Sequence, residues 1–248
     1  MKILVPVKRV VDAALRPIVS QGALSTSGLK FSSNPFDEIA LEEALTLQRT
    51  LGGPAKAEVH CISLGPDACT DVLRNCLARG AQHATHVKVP EGNTLEPLAV
   101  AKILHGFVKD RGFDLVLLGK QAIDDDAACT GPMLAGLLQW PQATAASRVQ
   151  WSPETSRLSI TSETDSGEQT VSAPLPLVVT ADLRLNKPKY VGLAKLMKVK
   201  RVPIEKVDPE TTMSQRLEQV SVGEPPAKKP VTMVSSVDEL VSKIRDLV

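Results

Sequence analysis

Strand-like and helix-like segments alternate four times in the first 140 residues, and this alternation constrains the fold more than any other feature. The strand-like runs are apolar and rich in β-branched residues, and the connections between segments are short. This pattern is typical of a doubly wound α/β fold, in which a mostly parallel sheet carries helices on both faces. The predicted strands lie at 2–7, 57–65, 84–89 and 113–119, and the predicted helices at 34–50, 67–80, 96–112 and 130–140.

Three positions mark where helices begin or end. Asn34 is a typical N-cap and Pro35 suits the first helical position, so the first helix should begin there. Gly80 should close the second helix. Pro132 must lie in the first turn of the fourth helix, because a later proline would break it.

Composition limits the class of protein. Aromatic residues make up 3% of the 248 residues, so the core must be aliphatic, and the net charge of +1 predicts no nucleic-acid partner. No run approaches the roughly 20 apolar residues of a membrane span, and the chain opens without a signal peptide. The four cysteines lack CxxC spacing, which predicts free thiols in a reducing compartment and no metal site.

The pattern changes after Trp140. Segments at 147–152, 156–173 and 176–183 resemble antiparallel strands, which predicts a small antiparallel section. Residues 1–205 should form one α/β domain, and residues 206–248 an extended C-terminal arm that ends in an amphipathic helix. The apolar side of that helix could pack on its own domain or on another chain, and the long polar tether favours another chain. Its apolar side chains are Val237, Leu240, Val241, Ile244 and Leu247.

The turn "GKQAIDDDAACTG" at 119–131 follows a buried strand and precedes a helix, where doubly wound proteins often bind ligands. A glycine at 119 lets a ligand approach the backbone, and amides after Asp126 could bind a phosphate. The three aspartates either accept hydrogen bonds from ribose hydroxyls or simply cap the helix. Both interpretations fit the spacing.

Motifs of nucleophilic, metal-dependent or P-loop chemistry do not occur, and the four histidines share no ligand spacing. The segment 186–201 is unusual in a different way, because it holds six basic residues, no acid and several apolar side chains. It could be a solvated basic helix face, or a docking surface for an acidic partner.

Five motifs, in order, resemble the β subunit of electron transfer flavoprotein over nearly the whole chain. Each motif alone is modest evidence, and the five in the right order are very specific. They are "VPVKRV" at 5–10, "NPFDEIALEEA" at 34–44, "DLVLLGKQAIDDD" at 114–126, "WPQATAAS" at 140–147 and "VVTADLRLNKPKY" at 178–190.

The resemblance implies a Rossmann-like, adenine-nucleotide-binding subunit of a heterodimer, without catalytic activity of its own. It implies that an α subunit holds most of one FAD, while the β subunit binds AMP. Such heterodimers carry electrons from acyl-CoA and related dehydrogenases of fatty acid β-oxidation to a membrane-associated quinone oxidoreductase. The implied location is the mitochondrial matrix in a eukaryote or the cytoplasm in a bacterium.

The resemblance also assigns AMP-binding positions. Pro6 and Leu64 stand where relatives often have alanine and cysteine, which suits contacts through backbone groups, although proline has no N–H to donate. The AMP positions are Pro6, Asn34, Pro35, Phe36, Asp37, Leu64, Gly119, Lys120, Gln121, Ala122, Ile123, Asp124, Asp125, Asp126, Ala127, Ala128, Cys129 and Thr130.

Glu163 matches a family position near the flavin, although an ordinary exposed acid at a strand end would look the same. Within the basic segment, Leu193 falls at the family's anchor position for dehydrogenases. Lys198 matches a lysine that is methylated in animal relatives, and Arg201 replaces a second one. The implied docking residues are Tyr190, Leu193, Lys195, Leu196, Met197, Lys198, Lys200 and Arg201.

Two other functions compete with this one. A bifurcating relative would carry a second FAD in the nucleotide site, and its turn would have the same spacing. An adenine-nucleotide-dependent ligase or hydrolase of similar layered fold would need a glycine- and serine-rich pyrophosphate loop, which this sequence lacks.

Overall fold

The computed structural model describes residues 1–20, 22–90, 95–210, 215–228 and 230–246. Its helices are α1 (Pro35–Thr50), α2 (Thr70–Arg79), α3 (Pro97–Lys109), α4 (Thr130–Leu138), α5 (Leu193–Val199) and α6 (Val237–Arg245). Its strands are β1 (Lys2–Pro6), β2 (Arg9–Val11), β3 (Ile18–Ser20), β4 (Ala23–Ser25), β5 (Phe31–Ser33), β6 (Glu58–Gly65), β7 (His83–Lys88), β8 (Leu115–Gly119), β9 (Gln142–Ser152), β10 (Arg157–Thr164), β11 (Gly167–Pro174), β12 (Leu177–Ala181) and β13 (Glu205–Val207).

Nine described strands form one sheet in the order β11-β10-β9-β12-β8-β1-β6-β7-β13. The strands β12, β8, β1, β6, β7 and β13 are parallel, whereas β9, β10 and β11 form an antiparallel extension at one edge. The mostly parallel sheet and its antiparallel section are therefore confirmed. The antiparallel assignment of 176–183 is wrong, because β12 pairs in parallel with both β8 and β9.

Alternate residues of β1 show why helices cover both faces of the sheet. Ile3 and Val5 belong to the apolar cluster that includes residues of α1 and α2, such as Leu41 and Leu73. Leu4 belongs to the cluster formed with α3 and α4. Because successive side chains of a strand point to opposite faces, a strand buried on both sides must be apolar throughout.

Two of the three predicted helix-boundary signals are confirmed. The third residue stands at the predicted position but does not cap its helix. Gly80 closes α2 with a φ of 128°, and its N–H donates to the carbonyls of Cys76 and Leu77. Pro132 lies in the first turn of α4. Asn34 occupies the N-cap of α1, but its side chain makes no capping hydrogen bond to a helix N–H and serves another purpose described below.

The chain divides into two compact units. One comprises Met1–Arg16 and Thr26–Glu218 and contains the nine-stranded sheet, and the other comprises Pro17–Ser25 and Gln219–Val248. In the second unit, Ser236 caps α6 by accepting the N–H of Glu239 at 3.2 Å. Val237, Leu240, Val241 and Ile244 of α6 are 41–75% exposed, and Leu247 lies outside the described residues. Among the described residues, no helix has the length and apolarity that a membrane crossing requires.

Candidate functional site

A cavity of about 330 Å³ opens at the carboxyl ends of β1, β6 and β8, and its size falls within the range of roughly 300–1,000 Å³ for small-ligand pockets. Several predicted positions lie in the same segments without lining it, namely Pro35, Phe36, Ile123, Asp124 and Asp126. The predicted positions that line it are Pro6, Asn34, Asp37, Leu64, Gly119, Lys120, Gln121, Ala122, Asp125, Ala127, Ala128, Cys129 and Thr130.

Asp37 joins three segments of the cavity wall. Its Oδ2 accepts the backbone N–H of Lys8 at 2.8 Å, and its Oδ1 accepts the backbone N–H of Gly119 at 3.1 Å. Asp37 as a whole residue is 6% exposed and lies in the first turn of α1. Burial raises the pKa of Asp37 to about 7, while the two N–H donors act in the opposite direction by stabilising the charged form.

Asn34 holds the loop after β8 against the beginning of α1. Its Nδ2 donates to the carbonyl of Gln121 at 2.9 Å, and its Oδ1 accepts the N–H of Ile123 at 3.3 Å. An amide side chain can do both at once because it carries a donor and an acceptor. This long-range role explains why Asn34 leaves the helix N–H groups of α1 uncapped.

The three aspartates do not cap α4. That helix begins at Thr130, and its N-cap residue, Cys129, makes no side-chain capping bond. Lys8 Nζ instead forms ion pairs with Asp124 at 2.8 Å and Asp125 at 3.0 Å, while Asp126 accepts a hydrogen bond from Gln121 at 2.7 Å. The capping interpretation of the turn is therefore wrong.

Lys8 is a site residue that the sequence analysis missed. Although its partial burial lowers the pKa of the ammonium group, the carboxylates of Asp124 and Asp125 outweigh that effect, and the pKa is raised. Lys8 also lines the cavity. A cation beside consecutive aspartates reduces their mutual repulsion, but the sequence alone does not show which lysine or arginine lies there.

The wall of the cavity combines apolar side chains with the segment that leads into α4. Leu64, Val89, Leu95 and Val100 contribute apolar surface, on which a flat ring could lie. The wall also includes the segment that leads into the N-terminus of α4, in which Asp126 and Ala128 have left-handed φ values of 46° and 51°. Such backbone is costly for residues other than glycine and concentrates at ligand sites, and a helix N-terminus favours an anion.

Glu163 lies away from this cavity, near the end of β10, where it forms an ion pair with Arg184. Both side chains line a second, open cavity of about 340 Å³. Lys120 lines both cavities, and its Nζ contacts Asp182 at 2.7 Å. Lys120 therefore forms part of the walls of both cavities.

The basic segment forms the short helix α5 and the turn that precedes it. Tyr190 is 93% exposed, Leu193 72% and Met197 61%, whereas Val191 is buried. An assignment of Leu193 to the core would therefore be wrong. Leu196 is half-buried, and the cationic residues around it are exposed, namely Lys195, Lys198, Lys200 and Arg201.

The sheet order and the cavity at its carboxyl edge define a doubly wound α/β protein with a site for a small ligand. The family model described as electron transfer flavoprotein domain matches residues 21–212. A "probable electron transfer flavoprotein subunit beta" of Saccharomyces cerevisiae is 47% identical, with 100% of this chain and 97% of the relative covered.

A plant relative and a bacterial relative carry the same subunit name. The "electron transfer flavoprotein subunit beta, mitochondrial" of Oryza sativa subsp. japonica is 46% identical, with 99% of this chain and 98% of the relative covered. The "electron transfer flavoprotein subunit beta" of Bradyrhizobium diazoefficiens is also 46% identical, with the same coverage. The chain therefore belongs to the electron transfer flavoprotein β-subunit family, which confirms the resemblance carried by the five motifs.

Proposed function

We propose that this chain binds AMP as a structural nucleotide and pairs with an electron transfer flavoprotein α subunit that holds most of one FAD. The heterodimer accepts electrons from acyl-CoA and related dehydrogenases and passes them to a membrane-associated quinone oxidoreductase. The β chain supplies a scaffold and a docking surface, with no catalytic activity of its own. It works in the mitochondrial matrix if its source is a eukaryote and in the cytoplasm if its source is a bacterium.

The observation that carries the nucleotide assignment is the convergence of four distant segments on one cavity. Pro6, Asn34–Asp37, Leu64 and 119–130 all contribute to its wall or to the contacts that support the wall. An apolar side for a base and a helix N-terminus for a phosphate fit a nucleotide monophosphate. The ion pairs of Lys8 also offset part of the negative charge of Asp124 and Asp125, which would otherwise repel a phosphate more strongly.

The flavin assignment is supported by the second cavity. Glu163 and Arg184 are both partly exposed there, so either can hydrogen-bond a polar edge of a ring that enters from a partner subunit. When bound, FAD accepts and releases electrons one at a time. The β chain's own contribution is to orient that edge.

The docking assignment rests on exposure and charge. The cations of 186–201 can steer an acidic partner over a distance, and they sit beside the exposed apolar side chains of Leu193 and Met197. Steering charges around an apolar contact are a usual arrangement in transient complexes.

Cofactor extraction from the co-purified heterodimer tests the proposal. We expect one AMP and one FAD per heterodimer, with AMP released only on denaturation. Two FAD molecules and no AMP would instead show the bifurcating type, and ATP turnover would indicate a ligase or hydrolase. Asn34→Ala should lower the AMP content because it frees the loop at 121–123, whereas Asn75→Ala on α2 should leave it unchanged.

A further inference from the structure

We propose that Arg74 of α2 is a positioning residue for dehydrogenase docking, because it fixes the C-terminal end of α5. The inference rests on the proposed docking role of the segment 186–201. Arg74 lies outside that segment by more than 100 residues, and the docking assignment by resemblance does not include it.

The guanidinium group of Arg74 binds two backbone carbonyls just where α5 ends. Its Nη1 donates to the carbonyl of Val199 at 2.8 Å and also to the carbonyl of Val202. The turn between these residues is closed by the N–H of Val202, which donates to the carbonyl of Val199 at 3.0 Å. Arg74 thus holds the helix end and the following turn together.

A helix as short as α5 needs such support. Its seven residues are far below the roughly 12–15 that an isolated helix needs to persist in water. The last carbonyls of any helix lack partners within the helix, and a cation near that end is favourable. Because the segment also carries several cations and no acid, mutual repulsion favours its unwinding.

The other end of the segment is held by α1. Asn186 Nδ2 donates to the carbonyl of Ile39 at 3.1 Å and to Glu43 Oε2 at 3.0 Å. The N–H of Lys189 donates to Glu42 at 3.3 Å. Both ends are therefore fixed, while Leu193 and Met197 between them remain exposed.

A segment fixed at both ends presents its apolar side chains in one arrangement before the partner arrives. Ordering an interface on binding costs free energy, so preorganisation of this kind increases affinity without adding a contact. Val199, Val202 and Ile204 pack partly buried against the core, and Arg74 sets the direction in which α5 leaves that anchor.

The test measures electron transfer from an acyl-CoA dehydrogenase, reduced by its acyl-CoA substrate, to the purified heterodimer. Arg74→Gln should raise KM for the heterodimer about 3- to 10-fold, which corresponds to roughly 0.7–1.4 kcal/mol, with kcat nearly unchanged. Arg74→Lys should recover part of the loss, because an ammonium group can still donate to a carbonyl. Amide hydrogen exchange at 198–202 should speed up in Arg74→Gln.

Arg79→Gln is the matched control. Arg79 lies on the same helix and pairs with Glu38 at 3.0 Å and Asn75 at 2.9 Å, so its loss should lower the melting temperature without raising KM. Equal KM effects in the two glutamine variants, or an unchanged KM in Arg74→Gln, would overturn the inference.

Leu193→Ala, measured in parallel, separates two kinds of failure. If it raises KM while Arg74→Gln does not, only the positioning role of Arg74 is wrong. If Leu193→Ala leaves KM unchanged, the docking assignment of the segment fails, and the inference about Arg74 falls with it.

Discussion

The backbone N–H of Gly119 donates to Asp37 Oδ1 at 3.1 Å, and a methyl group added at position 119 would lie 2.4 Å from that same oxygen. It would also lie 2.6 Å from the Cβ of Phe36. Glycine is therefore required because the first turn of α1 sits directly against the end of β8. From the sequence alone, this glycine is instead explained by the close approach of a ligand to the backbone.

Gly119→Ala should destabilise the chain even without nucleotide. Overpacking of this kind typically costs about 1–3 kcal/mol, and the displaced carboxyl of Asp37 would loosen the cavity wall. The melting temperature and the AMP content should both decrease. Gly136→Ala is the control, since a methyl group there meets no described atom within 4 Å and should stabilise α4 by roughly 0.5–1 kcal/mol. Equal melting temperatures for the two variants would contradict the packing argument.

The alternation of strands and helices was sufficient to predict a mostly parallel sheet, because its central strands β1 and β8 are buried on both faces and almost entirely apolar. The "LVLLG" of β8 is buried at every position, and such a run leaves few alternatives. The direction of β12 could not be predicted in the same way, since its sequence shows that it is buried but not which neighbours it pairs with.

The contacts between distant segments of the site could not be predicted from the sequence. Asn34 was correctly placed at a helix start, yet its side chain bonds residues 87 and 89 positions away. Lys8 and its aspartates are separated by more than 110 residues. Local rules of capping apply to neighbours in sequence, so they assigned these polar groups to the nearest helix.

Leu193→Ala should raise KM for the heterodimer as acceptor from a reduced acyl-CoA dehydrogenase. Full burial of a leucine is worth roughly 1.5–3 kcal/mol, or about 10- to 100-fold in affinity. The melting temperature of the Leu193→Ala heterodimer should not change, because Leu193 is 72% exposed. Leu217→Ala, at 70% exposure outside the basic segment, should leave KM unaffected. A lower melting temperature with unchanged KM would contradict the docking role.

Neutralising Lys198 and Lys200 together, each to Gln, should slow association with the dehydrogenase. Both side chains are exposed, so they act through long-range attraction that salt screens over about 10 Å at 0.1 M. Stopped-flow association rates at several ionic strengths should therefore show a shallower salt dependence in the variant. The same slope in variant and parent would show that these lysines do not steer the partner.

Truncation after Pro225 should weaken the pairing with the α subunit. The four described apolar side chains of α6 are at least 41% exposed, and each would contribute roughly 1.5–3 kcal/mol if fully buried in an interface. The net gain is smaller because ordering the arm costs entropy. Titration of the α subunit with the truncated chain measures the loss, and an unchanged dissociation constant would rule out this role for α6.

The contribution of His60 to the stability of the chain should fall as the pH falls below about 6.5, while Asp37, whose pKa is raised, acts in the opposite direction over much of the same range. Burial lowers the pKa of His60 to about 4, assisted by His83, Lys2 and Arg111, while Glu205 acts in the opposite direction. The hydroxyl of Thr85 donates its hydrogen to Glu205 at 2.5 Å. The Thr85 oxygen therefore accepts a hydrogen bond from His60 Nε2, which lies 2.7 Å away and must be the donor. Protonation would therefore place a charge on a buried ring.

Between about pH 6.5 and pH 4, the unfolded chain binds a proton at this histidine and the folded chain does not. The contribution of His60 to stability is therefore complete above pH 6.5 and is lost as the pH falls toward 4, by roughly 1.4 kcal/mol per unit. His60→Gln should remove this loss, so the free energy of urea unfolding of the variant relative to the parent should rise as the pH falls over this range, whereas His83→Gln, at an exposed ring, should change it less. Parallel pH profiles for the parent and His60→Gln would show that His60 does not titrate on unfolding.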